Sequence, residues 1–291
     1  EDAKFGAYTA EASQLDQVLY NNSELLSVWA AGNDRGDDYG NWSGNGTYIT
    51  YFSANPGGSG WSGPGFYYVN AANFPPPPGD GNSGTGYDSL PSTQTAKNIL
   101  TVGAVNDVIV DPYSSSDIQM STFSGWGPTD DGRVKPDVVG NGVQVFSTVD
   151  TSNAAYDSYD GTSMASPNVA GTAVLLKQHF EQTLAYSPRS ATLKGLIIHT
   201  AADAGNVGPD YSYGWGLVDA KKAAEFVTEV AAASGIAQIT QSTYSGTERT
   251  FSVTSHGNSP LTATLVWTDP AGTPKSGLDN STSTLFNDLN L

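Results

Sequence analysis

The run "LLSVWAAG" at residues 25–32 is apolar almost throughout and stops at Gly32. A strand with one wet face would alternate. A short continuous run bounded by a turn residue belongs to a strand covered on both faces, which is the situation of a parallel sheet flanked by crossover helices. "NILTVGAV" (98–105), "KPDVVG" (135–140) and "VQVFSTV" (143–149) are of similar length and are set off by Gly, Pro and Asp turns. Helical patterns alternate with them. Ala12, Leu15, Val18 and Leu19 recur at helical spacing behind Thr9, a suitable N-cap. "SMASPNVAGTAVLLKQHF", from Ser163, sets Val169, Ala173, Leu176 and Phe180 on one face with few polar residues elsewhere, which predicts a largely buried helix. Ser187 and Pro188 read as N-cap and first residue of a further helix through "ATLKGLIIHTAAD". The predicted class is α/β, with a mainly parallel sheet.

Two stretches break this rhythm. Residues 34–92 carry repeated Gly, Asn and Ser, the run "PPPPGDG" and eleven aromatics, among them Trp42, Trp61, Phe66, Tyr67 and Tyr68. A connection this long is functional or mobile more often than not, although aromatics that pin an ordered insertion onto the domain are its commoner form. After Glu229 the pattern changes to alternation, in "AQITQ", "TFSVTS" and "LTATLVWTD". This predicts the start of an antiparallel β domain, with too few strands by Leu291 to close a sandwich or barrel. The expected division is therefore residues 1–228, including the 34–92 insertion, and residues 229–291.

Bulk properties exclude several functions. Twelve Lys and Arg against 29 Asp and Glu give a net charge of −17, which repels phosphate backbones and anionic lipid, so neither nucleic acid nor membrane is an expected partner. No window approaches the apolar length of a membrane span. The absence of cysteine removes disulfides and thiolate metal sites, and fits an exported protein exposed to oxidants. "EDAKFGAYTA" is polar and acidic, unlike a signal peptide, and reads as a mature or truncated start.

Ser163 lies in "DGTSMASPNVAG" (160–171), at the start of the buried helix. A hydroxyl residue there ordinarily just caps the helix. As a nucleophile it would need a base, a group orienting that base, and donors for a developing oxyanion. The helix start offers unpaired backbone N–H groups and a positive dipole end, both favouring negative charge nearby. Pro167 is expected among the early positions that lack intrahelical N–H partners.

The surrounding residues favour the nucleophile. "GTSMASPNVAG" resembles the GTSMAxP signature of the subtilisin-like serine proteases. "VWAAGNDRG" resembles the segment that supplies this family's oxyanion-hole asparagine, here Asn33, with Ala30, Ala31 and Gly32 along one wall of the S1 pocket. "AKNILTVGAV", "FSGWGPTDDGRVKPDVV" and "YGWGLVDAKKA" are similar to the family's intervening and closing segments. "LTATLVWTDP" with "LFNDLNL" resembles the opening of the β-barrel domain carried by its alkaline, oxidation-resistant branch. Gly140-Asn141-Gly142 stands where the family has Ala-Pro-Gly. The resemblance implies a three-layer α/β/α catalytic domain, a secreted endopeptidase acting on proteins or peptides, Ser163 as nucleophile, and Asn33 with the Ser163 N–H as oxyanion donors. Gly161, Thr162 and Asp34 are implied substrate-binding positions, with the Asp34 carboxylate near the S1 mouth.

The base is missing. The family orders its triad Asp, His, Ser, and no histidine precedes Ser163. His179 lies sixteen residues along the same helix, roughly 24 Å away at about 1.5 Å per residue. His199 in "GLIIHTAA" reads as a satisfied core imidazole, and His256 falls in a turn. The expectation is that Asp and His come from an N-terminal part of the same protease, as a longer chain or separate fragment, and that the 291-residue chain alone is inactive. The competing reading is an inactive subtilase-like binding protein that grips glycans or peptides through Trp42, Trp61, Tyr67 and Tyr68. The chemistry requires no cofactor. "NDRGDD" offers oxygen ligands suited to a structural calcium, although exposed acidic turns are the commoner use of such a sequence.

Overall fold

The computed structural model describes residues 5–36, 86–110, 112–233, 235–253, 257, 260–277 and 279–291, together with the backbone of two strands at 48–53 and 65–70. Three of the continuous apolar runs form one parallel sheet in the order β1 (Val28–Ala30), β4 (Leu100–Val105), β5 (Val138–Asn141). Val28 pairs with Leu100, and Val102 with Val138. Every residue of β4 is buried, as its lack of alternation predicts.

Alternate side chains leave the sheet on opposite faces. Leu100, Val102, Ala104 and Val138 enter the main core with α2 (Thr162–Leu184), α3 (Ser190–Thr200) and α4 (Ala220–Ala231), and Val28 packs against it. Ile99 and Trp29 point the other way, towards Tyr8 and Ala12, Leu15 and Leu19 of α1 (Ala10–Asn21). Helices thus lie on both faces, giving the three-layer α/β/α arrangement. Antiparallel pairing is also present, between β2 (Tyr48–Ser53) and β3 (Gly65–Asn70) and between β6 (Val145–Thr148) and β7 (Tyr156–Tyr159).

Some local expectations change. Thr9 occupies the N-cap of α1, but its carbonyl accepts from Ser13 N while its side chain makes no cap bond. The helix through Ile197 begins at Ser190, with Arg189 at its N-cap. Ser187 closes the preceding helix instead: its hydroxyl donates to Glu181 at 2.7 Å and accepts from Lys177 at 2.6 Å. Pro167 is the sixth residue of α2, past the unpaired first positions, so the Ser163 carbonyl has no i+4 N–H donor.

Among the described residues after Ala231, none belongs to a strand. The alternating tail is tied to the α/β domain largely through side chains rather than by a ladder. Lys97, buried, donates from Nζ to Asp269 Oδ2 at 2.8 Å and to the carbonyls of Pro270 and Thr284. Asp269 also accepts from the Phe286 and Asn287 amides, and Thr284 N donates to Asp131. Asp16, fully buried on α1, joins the same cluster by accepting from Tyr8 Oη and from the Lys97 and Asn98 amides. Tail, first helix and the segment before β4 are fastened at one place.

Candidate active site

The sheet and α2 bring the predicted residues together. Asn33 follows β1 by three residues, and Ser163 is the second residue of α2, exposed. Between them Thr162 acts as a fastener. Its backbone N–H and its hydroxyl each donate to Asn33 Oδ1 at 2.9 Å, and the hydroxyl accepts from Gly32 N at 3.1 Å. With Oδ1 so held, the amide plane is fixed and Nδ2 lies near Gly161. Thr162 is itself fully buried. These bonds make it a positioning residue for the asparagine.

Gly161 shows where the donors converge. It has φ 153°, and a side chain built there would begin 3.6 Å from Asn33 Nδ2 and 3.6 Å from Ser163 N. One point thus lies equally close to both donors, and glycine leaves it open. Gly161 is held in this conformation by its N–H bond to Gly142 O at 2.8 Å, and Gly142 has no room for a side chain against Ala104 and the Gly161 carbonyl. The Gly140-Asn141-Gly142 departure therefore keeps the contact that seats the start of α2. Sequence reasoning gave Gly142 no role because its partner lies nineteen residues further on.

Ala30 ends β1; Ala31 is fully buried and its N–H donates to Val102 O; Gly32, at φ 98°, lies against Pro91. The Gly125 backbone covers this stretch, its N–H on Gly32 O at 2.8 Å. A cavity of about 400 Å³ opens on the other side of Asn33, lined by Met120, Phe123, Val143, Asp160 and Gly161 among others, and not by residues 30–32. Asp34, half-buried, starts a 3-10 helix and turns Oδ2 back over Gly32. Among the described residues that line the cavity, Asp160 is the acidic one, and the sequence reading passed it over.

Neither described histidine serves Ser163. His179 Nε2 faces the Ala224 carbonyl and the Thr228 hydroxyl, and Nδ1 faces Thr183. His199 shares a bond with Thr264 Oγ1 and packs on Phe226; burial, aided by Lys222, holds its pKa below the usual imidazole value. His256, Trp42, Trp61 and part of the "NDRGDD" loop lie outside the described residues, and nothing is described of the side chains of Tyr67 and Tyr68.

One group of three carboxylates comes together among the described residues, Asp88, Asp130 and Asp279, with oxygens within 4.8 Å of one another. Burial, with Asp88 and Asp279 adding repulsion, pushes Asp130 up to about 6. Its neighbour goes the other way. Burial would raise Asp131, but Arg133 and bonds from Arg133, Thr284 and Thr129 outweigh it and bring it down to about 2.

The family model described as the subtilase family matches residues 2–216. The chain belongs to the subtilase family. It is 26% identical over 246 residues to the serine protease/ABC transporter B family protein tagA of Dictyostelium discoideum, a match covering 69% of this chain and 14% of that protein. It is 33% identical over 144 residues to a C5a peptidase of Streptococcus pyogenes, covering 47% and 12%. With the serine protease AprX of Bacillus subtilis it shares 34% over 110 residues, covering 34% and 24%. The CspB protease structure from Clostridium perfringens aligns with TM-score 0.39 and 28% identity over 49% of this chain and 30% of that one. The chain thus spans less than a quarter of the length of these three curated relatives. No helix among the described residues is long and apolar enough to cross a membrane.

Proposed function

We propose that this chain carries the nucleophile and the oxyanion hole of a secreted subtilisin-like serine endopeptidase, whose Asp and His come from sequence upstream of residue 1. Ser163 Oγ gives its proton to that histidine and attacks the scissile carbonyl. The carbonyl oxygen, as it gains charge, takes hydrogen bonds from Asn33 Nδ2 and the Ser163 N–H. Collapse expels the amine, protonated by the histidine, and water releases the acyl group by the same steps in reverse. Protein or peptide chains are the substrates, and the chemistry calls for no cofactor.

The observation that carries this reading is the convergence of the two donors on the open side of Gly161, with Asn33 oriented by Thr162. A serine that only capped a helix would need no second donor near the same point as its own amide. Support for an upstream base comes from the uncovered side of α2. The stripe starting at Ser163 continues through Pro167, Gly171, Val174 and Leu175, all exposed, with Val174 at 68% and Leu175 at 67%. β1, at one edge of the sheet, is only half-buried. An element packed on that stripe would reach Ser163 at its end.

Covalent labelling tests it. A fluorophosphonate should modify Ser163 in a protein extended upstream, and react slowly or not at all with the 291-residue chain. Peptide mass spectrometry locates the adduct; modification of a different serine, or none in the extended protein, would sink the assignment.

A further inference from the structure

The cavity beside Asn33 has one ionisable group among the described residues that line it, Asp160. The rest of its wall is neutral: Met120, Phe123 and Val143 supply apolar surface, and Asn33 and Gly161 form the edge it shares with the oxyanion donors. We infer that this cavity receives a side chain flanking the scissile bond and that Asp160 makes it select lysine or arginine over acidic residues.

Three features support the assignment. First, the position: a peptide whose carbonyl oxygen lies between Asn33 Nδ2 and Ser163 N runs past Asn33 and Gly161, and both line the cavity. For this placing of the peptide, the inference rests on the protease reading. Second, the carboxylate is anchored. Asp160 Oδ1 accepts from the Gln144 amide at 2.6 Å, while Oδ2 has no partner among the described residues and is available to a ligand cation. Third, the shape fits a long amphipathic side chain. About 400 Å³, with apolar surface from Met120, Phe123 and Val143 and one exposed carboxylate, accommodates an aliphatic stem below a charged head, the division that lysine and arginine carry within themselves. Arg35 lies beside this wall, its guanidinium donating to the carbonyl of Ser121 and stacked over the Trp126 ring at 4.1 Å.

The test separates binding from cleavage. Fluorescein-labelled hexaalanine amides, with lysine, norleucine or glutamate placed in turn at each of the four central positions, are titrated into the full 291-residue chain carrying Ser163→Ala, and into the same chain with Asp160→Asn. Anisotropy should show, at one position, lysine binding about fivefold tighter than norleucine and glutamate weaker than either, the range of a partly exposed ion pair. Asp160→Asn should close the gap; it keeps the acceptor for Gln144, so the local loop is retained. Raising salt to 0.5 M should narrow the gap in the Ser163→Ala chain in the same direction. An unchanged order of affinities in Asp160→Asn, or no binding of any peptide, would overturn the inference. Because no cleavage is involved, the two ideas part cleanly. Lysine selection by Asp160 in a protein whose Ser163 never reacts would reject the protease reading alone. Cleavage with no Asp160-dependent preference would reject this inference alone.

Discussion

Ala165, Val169, Ala173, Leu176 and Phe180 on one side of α2 are at most 5% exposed, whereas Val174 and Leu175 on the other are more than two-thirds exposed. Both sides are apolar. The first is sealed by β1, β4, β5, α3 and α4, all within this chain, and the second holds Ser163 at its head and nothing over it among the described residues. Stability and chemistry are therefore separable along one helix. The covered side decides whether the chain folds, and the open side decides what the serine can do.

Phe180→Ala is the strongest way to attack that division. It empties a fully buried site in contact with Tyr186 and should cost about 3–5 kcal/mol of unfolding free energy in a denaturant titration. In a protein extended upstream, the molecules that still fold should label at Ser163 as readily as the extended parent. Loss of labelling in the folded fraction would mean that the two sides are coupled.

Asn33 tests the other end. In a protein extended upstream, Asn33→Ala should lower kcat by roughly 10²–10³ with little change in KM, since the donor strengthens its bond only as charge develops. It also strips the buried Thr162 N–H and hydroxyl of their acceptor, at about 1–3 kcal/mol of stability. Asn33→Asp keeps the acceptor and removes the donor, so it should restore stability but not turnover. Steady-state kinetics beside thermal melts separates these effects, and a change confined to KM would count against an oxyanion role.

The contrast between covered and uncovered groups extends to charge. Asp130 ionises in the folded state only near pH 6, but near 3.8 when unfolded, so its contribution is favourable at low pH and is lost as pH rises between those values. Asp130→Asn should therefore stabilise the chain above about pH 6, by on the order of 1 kcal/mol after allowing for solvent screening, and give no gain below about pH 4. Melts at both pH values decide; a gain that is equal at the two would exclude ionisation as the cause.

The smallest expected effect is also the sharpest. Leu175→Gln should alter the stability of the 291-residue chain by less than about 0.5 kcal/mol, as a solvent-facing change does. In a protein extended upstream the same substitution should cost at least about 1 kcal/mol if an element covers that side. Equal small effects in both would remove the open face of α2 as support for an upstream base.

These contrasts also mark what a sequence can disclose. β4 and β5 were legible because both of their faces are covered, which leaves an unbroken apolar run, and Val169, Ala173, Leu176 and Phe180 were legible from helical spacing. Val174 and Leu175 were not, because spacing reports which residues could be buried and not whether a partner covers them. Ser187 misled because one hydroxyl before a proline can open one helix or close another, and only the Lys177 and Glu181 contacts distinguish the two. Asn33 and Ser163 could be named from motifs, yet the fastener between them, the Thr162 hydroxyl on a carbonyl oxygen 129 residues earlier, depends on the folded chain.

The bonds of Lys97 bear on how this protein could have been assembled or could be re-engineered. Segments that append to an enzyme as cassettes meet it across surfaces that tolerate exchange. Here Asp269 and the carbonyls of Pro270 and Thr284 surround an ammonium group that is sealed from water, and Asn98 exchanges two hydrogen bonds with the backbone of Asp269. A splice made anywhere between residues 235 and 268 would take away Asp269 and both carbonyls and leave that cation with Asp16 at 4.0 Å, which breaks most of a buried charge cluster. Recombination, in the laboratory or in a genome, should therefore favour crossovers that keep Lys97 and Asp269 on the same parent, so that the tail is inherited together with the helix and strand it fastens.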